Sequence, residues 1–326
     1  MHMMRFDMRV PGKSAAEIAD HYQAAIAMAR WADEQGNFSI CLSEHHASND
    51  GYLPAPLILA SSMAAVTSKL AITIAATLLP LYDPVRLAEE MIVLDHISRG
   101  RVSYVLGIGY RPDEYELFGL DFDRRGAIAD EKLAKLMACF ALAGNTENGA
   151  RITPGSYTPG RPTIMWGGGS KPAARRAGRN GLGFLAQNNA PGMEEAYLMA
   201  CRDAGFAPGP CLIPPPGMPS VVFVHPDPDQ AWDEVGPHML ADALSYATWN
   251  EQAGLHASSL SKSKTVAELR AEQGAYRVVT VDEAVALIKQ WGRLPLHPLC
   301  GGCPPALAWP YLQRVVDEVL PAAAIN

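Results

Sequence analysis

Apolar runs of strand length alternate along the chain with stretches that carry apolar residues at helical spacing. The clearest unit spans residues 71–104, where two apolar runs flank a stretch whose Leu87, Met91 and Leu94 fall on one helical face. Asp83 stands just before this stretch and is a good helix N-cap. Because a helix that leads from one strand to the next places the two strands in parallel, the pattern predicts a βαβ unit.

Units of this kind recur over most of the sequence. We predict eight strands, at residues 5–10, 38–42, 71–77, about 102–109, 163–166, 183–186, 220–224 and 297–300. Repeated β–α units imply a parallel sheet, and eight of them imply a closed barrel. The predicted fold is therefore α/β, a single (β/α)8 barrel of the TIM type that spans residues 1–326 as one domain.

Two stretches interrupt this alternation. The segment Pro208–Pro219 is rich in proline and predicts a stiff loop, whereas residues 232–276 are more than one barrel helix requires. We therefore expect an insertion or lid at 232–276, in the carboxyl-terminal half of the barrel.

Composition narrows the class of partner. The 326 residues carry a net charge of −7, with 48% hydrophobic and 19% charged residues, which argues against disorder and against nucleic-acid binding. No apolar run approaches the roughly 18 residues of a membrane span, and the amino terminus lacks a signal-peptide core. We therefore expect a cytoplasmic protein with neither a nucleic-acid nor a membrane partner.

The six cysteines do not indicate a disulfide scaffold in a chain of this length, so we expect reduced thiols. Cys300 and Cys303 form an isolated CxxC motif. A zinc ribbon needs a second pair of ligands, and a thioredoxin-type site needs a strand-to-helix turn near a chain start. The motif therefore favours a structural role.

Candidate functional residues gather where the strands of the predicted barrel end. In parallel α/β barrels the chemistry takes place at the carboxyl ends of the strands. The candidates at these ends are Glu44, His45, His46, Ala75, Ala76, Gly109, Tyr110, Arg111, Gly167, Gly168, Gly169 and Ser170.

The run Gly167–Ser170 lies between a predicted strand and a predicted helix. Glycines let the backbone approach a ligand closely, and a helix N-terminus offers N–H groups to a phosphate. A simple tight turn is the alternative. A Rossmann site is disfavoured, because position 172 is proline and the next strand ends in Gln187 rather than in an acidic residue.

The run Glu44-His45-His46 allows three interpretations. A zinc hydrolase would need ligands on the first strand, which offers only Arg5, Asp7 and Arg9, so we predict no metal site. A structural histidine and a general acid–base histidine both stay open on the residues alone.

Several motifs resemble those of one known family. The runs are Glu44-His45-His46, Ser98-Arg99-Gly100-Arg101, Gly107-Ile108-Gly109-Tyr110 and Tyr115-Glu116-Leu117-Phe118-Gly119, and they look like those of the bacterial luciferase-like flavin monooxygenases. The resemblance implies that His45 rather than His46 is the catalytic histidine and that Glu44 orients a neighbouring side chain. It also implies a cis peptide at Ala75–Ala76, which makes a bulge beneath a flavin ring.

The same resemblance implies a cofactor, but it leaves two open. Reduced FMN with O2 would act on a small, largely apolar organic substrate, whereas other members use the deazaflavin coenzyme F420 for hydride transfer, and some flavoproteins of the family have no known turnover. Luciferase has an arginine for the phosphate where this chain has Ile108, so that contact would come from Arg111, Lys171, Arg175 or backbone amides. We also expect a homo-oligomer and, with FMN, a separate flavin reductase as partner.

Overall fold

The structure is a computed structural model that describes residues 1–144, 152–253 and 261–325. Its strands are β1 (His2–Phe6), β2 (Phe38–Leu42), β3 (Ala71–Leu78), β4 (Val102–Gly107), β5 (Thr163–Gly168), β6 (Gly183–Ala186), β7 (Cys211–Leu212), β8 (Val221–Val224), β9 (Tyr276–Val279) and β10 (Pro295–Leu296). Its helices are α1 (Ala15–Gln35), α2 (Pro56–Ala65), α3 (Pro84–Ser98), α4 (Pro112–Leu117), α5 (Arg125–Leu142), α6 (Lys171–Arg179), α7 (Met193–Asp203), α8 (Pro228–Ala253), α9 (Val266–Glu272), α10 (Val281–Trp291), α11 (Pro305–Arg314) and α12 (Leu320–Ile325).

Eight of these strands form one parallel sheet, in the order β10-β1-β2-β3-β4-β5-β6-β7. Helices alternate with the strands along the chain, so the predicted fold of the (β/α)8 TIM type is confirmed. Strands β8 and β9 pair in parallel as a separate two-stranded sheet. None of the described helices is long and apolar enough to cross a membrane.

The chain divides into two compact units. The terminal unit contains Met1–Cys41, Ser48–Leu53 and Pro215–Asn326, and the central unit contains Leu42–Ala47 and Pro54–Pro214. One domain with an insertion or lid at 232–276 stays a prediction. That range contains most of α8 and all of α9, and its residues 254–260 lie outside the described residues.

In the terminal unit, two strands differ in their bounds from the prediction. Strand β1 ends at Phe6 rather than at residue 10, because Met8 has a left-handed backbone with φ of 60° that interrupts a regular strand. The last strand is Pro295–Leu296 rather than 297–300, because the chain makes a tight turn at Cys300–Gly302. Strand β9 was not predicted, since it falls at the edge of the expected insertion.

In the central unit, β3, β4, β5, β6 and β7 follow one another in parallel. The predicted loop at Pro208–Pro219 contains β7, which is too short to leave a periodic pattern in the sequence. Helix α3 begins as predicted, because the Asp83 side chain accepts the N–H groups of Val85 and Arg86. Its residues Leu87, Met91 and Leu94 are buried.

Strand β3 contains the irregularity that the resemblance implied. Its register against β4 shifts between Ala75 and Thr77, and the Ala75–Ala76 peptide is cis. The prediction of a cis peptide and a bulge at this position is confirmed.

Candidate active site

His45 lies in the segment that follows β2, and a carboxylate orients its ring. His45 Nδ1 is 2.7 Å from Oε1 of Glu114, which is fully buried in the first turn of α4. The same oxygen accepts the backbone N–H of His46 at 3.0 Å, and Arg111 Nη1 lies 3.6 Å from it. Because a carboxylate can only accept hydrogen bonds, Nδ1 carries the proton of the neutral ring and Nε2 presents a lone pair.

The second ring nitrogen of His45 faces Tyr110. Tyr110 Oη is 3.3 Å from His45 Nε2, and the two rings meet edge to face with their centroids 5.3 Å apart. Gly109, with φ of 73°, allows the sharp turn that leads from β4 to Tyr110. Glu114, His45 and Tyr110 thus form a hydrogen-bonded series beyond the carboxyl end of β4.

His46 belongs to a separate pair with Glu44. His46 Nε2 is 2.9 Å from Glu44 Oε1, while Glu44 Oε2 accepts the Leu78 N–H at 3.3 Å. Burial raises the pKa of Glu44, although hydrogen bonds from His46, Leu78 and Tyr82 oppose this rise. Glu44 therefore orients His46, and the carboxylate that orients His45 is Glu114.

Arg111 also donates hydrogen bonds to the protein backbone. Its buried guanidinium donates hydrogen bonds to the carbonyl oxygens of His46 and Ala47, the latter at 3.1 Å. These bonds hold the segment that carries both histidines against the start of α4. A contact between Arg111 and a cofactor stays a prediction.

Small residues line the edge where β3 and β4 end. Ala75 and Ala76 are partly exposed, and a Cβ added at Gly107 would lie 3.0 Å from the Cβ of Ala76. Within the described residues, the buried atoms Thr77 Oγ1 and Glu114 Oε2 have no hydrogen-bond partner. Since buried polar atoms nearly always have partners, this edge is suited to a ligand with polar atoms.

The glycine run forms the end of β5 and the start of α6. Gly167 and Gly168 belong to β5, and Ser170 is the N-cap of α6, because its hydroxyl accepts the Ala173 N–H. Added Cβ atoms would meet other protein atoms at 2.7 to 2.8 Å: Val105 at Gly167, Ala173 at Gly168 and Asn188 at Gly169. Internal packing therefore accounts for all three glycines, and a phosphate at this helix start stays a prediction.

Two of the basic residues on α6 bind within the protein. Arg176 Nε is 2.6 Å from Asp130 Oδ1, and Arg179 contacts the same carboxylate. Lys171 and Arg175 are the side chains on this helix that we predict to bind a cofactor phosphate. Neither belongs to the ion pairs that Arg176 and Arg179 form with Asp130.

A groove of about 850 Å³ lies along α2 and α3 in the central unit. Apolar side chains line most of it, and His46, Tyr82 and Phe118 also border it. Ile58 and Val93 on its walls are 71% and 49% exposed. This groove therefore presents an apolar surface to solvent, with the His46 pair at its border.

In the terminal unit, the charged residues at and after β1 form buried ion pairs. Arg5 Nη2 is 3.2 Å from Asp242 Oδ2 and 3.0 Å from His297 Nδ1. Asp242, His297 and Cys300 are close enough to one another to hold a metal ion. Because the cationic guanidinium of Arg5 already donates to two of these three residues, the group is poorly suited to a metal.

The CxxC motif has the properties of a structural element. Cys300 and Cys303 are both free and fully buried. Burial raises the pKa of Cys303 to about 12, so its thiol stays protonated and unreactive at neutral pH.

Sequence reasoning missed two members of the site, Glu114 and Tyr82. Glu114 occupies the third position of α4, but the N-cap of this helix is Arg111 and makes no side-chain cap. One signal could have identified Glu114 in the sequence. It is an acidic residue in a first helical turn, it lacks a capping partner, and it follows Tyr110 by four positions.

The model of the luciferase-like monooxygenase family matches residues 2–292. The chain belongs to this family. One curated relative, the uncharacterized protein y4vJ of Sinorhizobium fredii, is 34% identical over 125 residues, which cover 38% of this chain and 34% of y4vJ. The chain spans about a third of the length of the first curated relatives that it matches.

Several solved structures share the fold of this chain. The monooxygenase RslO1 from Streptomyces bottropensis has a TM-score of 0.73 at 21% identity and covers 99% of both chains. The oxygenating constituent of 3,6-diketocamphane monooxygenase from Pseudomonas putida, in complex with FMN, has a TM-score of 0.70 at 19% identity and covers 98% of both. An F420-dependent secondary alcohol dehydrogenase has a TM-score of 0.59 at 16% identity and covers 94% of this chain and 96% of its own.

Proposed function

We propose that this member of the family is a flavin-dependent monooxygenase that uses reduced FMN and O2 on a small, largely apolar organic substrate. The observation that carries the proposal is the pairing of His45 with Glu114. A buried imidazole held by a carboxylate at 2.7 Å, at the strand ends where barrels of this type place their chemistry, is arranged for proton transfer.

In this proposal, His45 moves a proton at Nε2. When Nε2 gains a proton, the resulting imidazolium is stabilised by the Glu114 carboxylate at Nδ1. Arg111 keeps the two residues in place by binding the carbonyl oxygens of His46 and Ala47. His46 and Glu44 pair within the same segment, and Glu44 ties it to the Leu78 N–H.

The residues proposed to hold the cofactor surround the edge of β3 and β4. They are Ala75, Ala76, Gly109, Tyr110 and Arg111, together with the turn Gly167–Ser170. Thr77 Oγ1 and Glu114 Oε2 offer hydrogen bonds that a flavin could satisfy, and the small residues leave its flat ring room. When bound, the reduced flavin supplies the electrons for the reaction with O2.

The alternative is hydride transfer with coenzyme F420. The same His45–Glu114 pair would then protonate or deprotonate the substrate, and no oxygen would be consumed. A protein that binds flavin without turnover is the alternative from another functional class.

An anaerobic calorimetric titration of the purified protein with reduced FMN and with reduced F420 tests the choice of cofactor. We expect micromolar or tighter binding of reduced FMN and at least about tenfold weaker binding of F420, a difference of about 1.4 kcal/mol. Tighter binding of F420 would favour the hydride-transfer alternative. Tight FMN binding, followed on addition of O2 by no conversion of any small apolar substrate, would favour the non-catalytic alternative.

We also propose that a second copy of the chain covers the groove along α2 and α3 and that a separate reductase supplies the reduced flavin. The apolar walls of the groove would be buried in the dimer. The border of the groove carries both signs of charge, from Arg86, Glu89 and Glu90. Val93→Lys should convert a dimer into a monomer in light scattering. Leu198→Lys, on α7 outside the groove, is the matched control and should leave the dimer intact.

A further inference from the structure

We propose that Tyr110 Oη, and not His45 Nε2, is the atom that exchanges a proton with the substrate or cofactor. The inference rests on the proposed function, because it assigns the last member of the same proton-transfer series. His45 then becomes the inner member of a relay that runs from Glu114 through His45 to Tyr110.

The first step of the argument is that both nitrogens of His45 already have protein partners. Nδ1 is 2.7 Å from Glu114 Oε1, and Nε2 is 3.3 Å from Tyr110 Oη. Because Nδ1 donates to the carboxylate, Nε2 is the acceptor and the Tyr110 hydroxyl is the donor. A ligand atom could bind Nε2 directly only by displacing that hydroxyl.

The second step is exposure. Only 8% of the His45 side chain is exposed, whereas Tyr110 is partly exposed. The edge-to-face contact of the two rings places the tyrosine ring against the imidazole. Tyr110 is therefore the most exposed member of the series.

The third step is the proton balance. When a bound group gives up a proton, its bond to that proton breaks and a new O–H bond forms at Tyr110 Oη. The original hydroxyl proton of Tyr110 passes to His45 Nε2, so the tyrosine stays neutral and His45 becomes an imidazolium facing the Glu114 carboxylate. The reverse sequence delivers a proton and returns His45 to its neutral form, with no electrons exchanged.

The test compares Tyr110→Phe with His45→Ala and with the double variant, in single-turnover oxidation of prereduced FMN by O2. Tyr110→Phe keeps the ring contact with His45 but removes the hydroxyl. We expect its rate to fall about 100-fold, with the Kd for reduced FMN unchanged within about twofold. The double variant should be about as slow as the slower single variant, because members of one relay do not act independently.

Tyr157→Phe is the matched control, because it removes a hydroxyl from an exposed tyrosine outside the site and should turn over like the parent. A Tyr110→Phe rate within threefold of the parent, with His45→Ala still slow, would overturn the relay and leave the proposed function standing. Parent-like rates in both single variants would overturn the proposed function. Losses that multiply in the double variant would also overturn the relay.

A second measurement covers the case in which Tyr110→Phe folds poorly. Replacing Tyr110 with 3,5-difluorotyrosine keeps the side chain nearly the same size while making its hydroxyl more acidic. The pH profile of single turnover should then move to lower pH, and an unmoved profile would count against proton exchange at Tyr110 Oη.

Discussion

At the scale of single residues, two neighbouring histidines have different partners. His45 pairs with Glu114 from α4, whereas His46 pairs with Glu44 two positions before it in the same segment. Because each ring has its own carboxylate, the two residues can be altered separately, and their variants are natural controls for each other.

We expect His45→Ala to lower the single-turnover rate about 100-fold or more while leaving folding and cofactor affinity nearly unchanged, because proton transfer is the role that we propose for its ring. His46→Ala should reduce the rate less. The comparison uses prereduced FMN, with thermal midpoints measured alongside. A His45→Ala protein that turns over like the parent, or that fails only because it unfolds, would show that the residue is structural.

Glu114→Gln tests the orientation of His45. The amide of glutamine can donate as well as accept, so it no longer fixes the proton on Nδ1 or stabilises an imidazolium. We expect turnover to fall at least about tenfold, with the pH at which the rate is half-maximal also changed. An unchanged pH profile together with an unchanged rate would mean that Glu114 serves only to bind the His46 backbone N–H.

Glu44→Gln should change how stability depends on pH. Because burial raises the pKa of Glu44, the folded protein binds this proton more tightly than the unfolded chain does. The free energy of unfolding therefore falls as pH rises from about 4.3, the ordinary pKa of glutamate, to the raised pKa of the folded state. The thermal midpoints of the parent and of Glu44→Gln, measured from pH 4 to 8, should therefore converge or cross. Midpoints that differ by the same amount at every pH would contradict a raised pKa of Glu44.

At the scale of elements, features set by neighbouring residues could be predicted from the sequence, whereas contacts between distant segments could not. The N-cap of α3 could be predicted because the Asp83 side chain binds N–H groups two and three positions on. Strand β7 could not be predicted, because two residues are too few to leave a periodic pattern, and β9 was missed because it falls at the edge of the expected insertion. The link between Glu114 and His45 was missed because 69 positions separate them.

Asp83→Ala should destabilise the protein by about 1 kcal/mol, because two N–H groups at the start of α3 lose their acceptor. Thermal or urea unfolding measures this change directly. Asp83→Asn is the matched variant and should restore most of the loss, because asparagine also accepts these hydrogen bonds. Equal stability of the alanine variant and the parent would show that water replaces the cap.

At the scale of the whole molecule, the fold class followed from the repetition of β–α units, although not every predicted strand belongs to the large sheet. The predicted strand at 220–224 is β8 of the two-stranded sheet, and the unpredicted β7 is the eighth strand of the large one. The repeated units predicted the parallel sheet, and the sheet predicted that candidate residues gather at strand ends. Histidine, glutamate and tyrosine do meet there, in the series Glu114, His45 and Tyr110. The partner carboxylates, the contacts of Arg111 and the packing around the glycine run needed three-dimensional structure, because each depends on contacts between distant segments.

The most direct test of the central claim follows the oxygen atoms. The protein is mixed with prereduced FMN, ¹⁸O2 and a panel of small apolar substrates, and the products are analysed by mass spectrometry. The account predicts a product that carries one atom of ¹⁸O, formed only when oxygen and reduced FMN are both present. Conversion without oxygen in the presence of reduced F420, or a product without ¹⁸O, would contradict it.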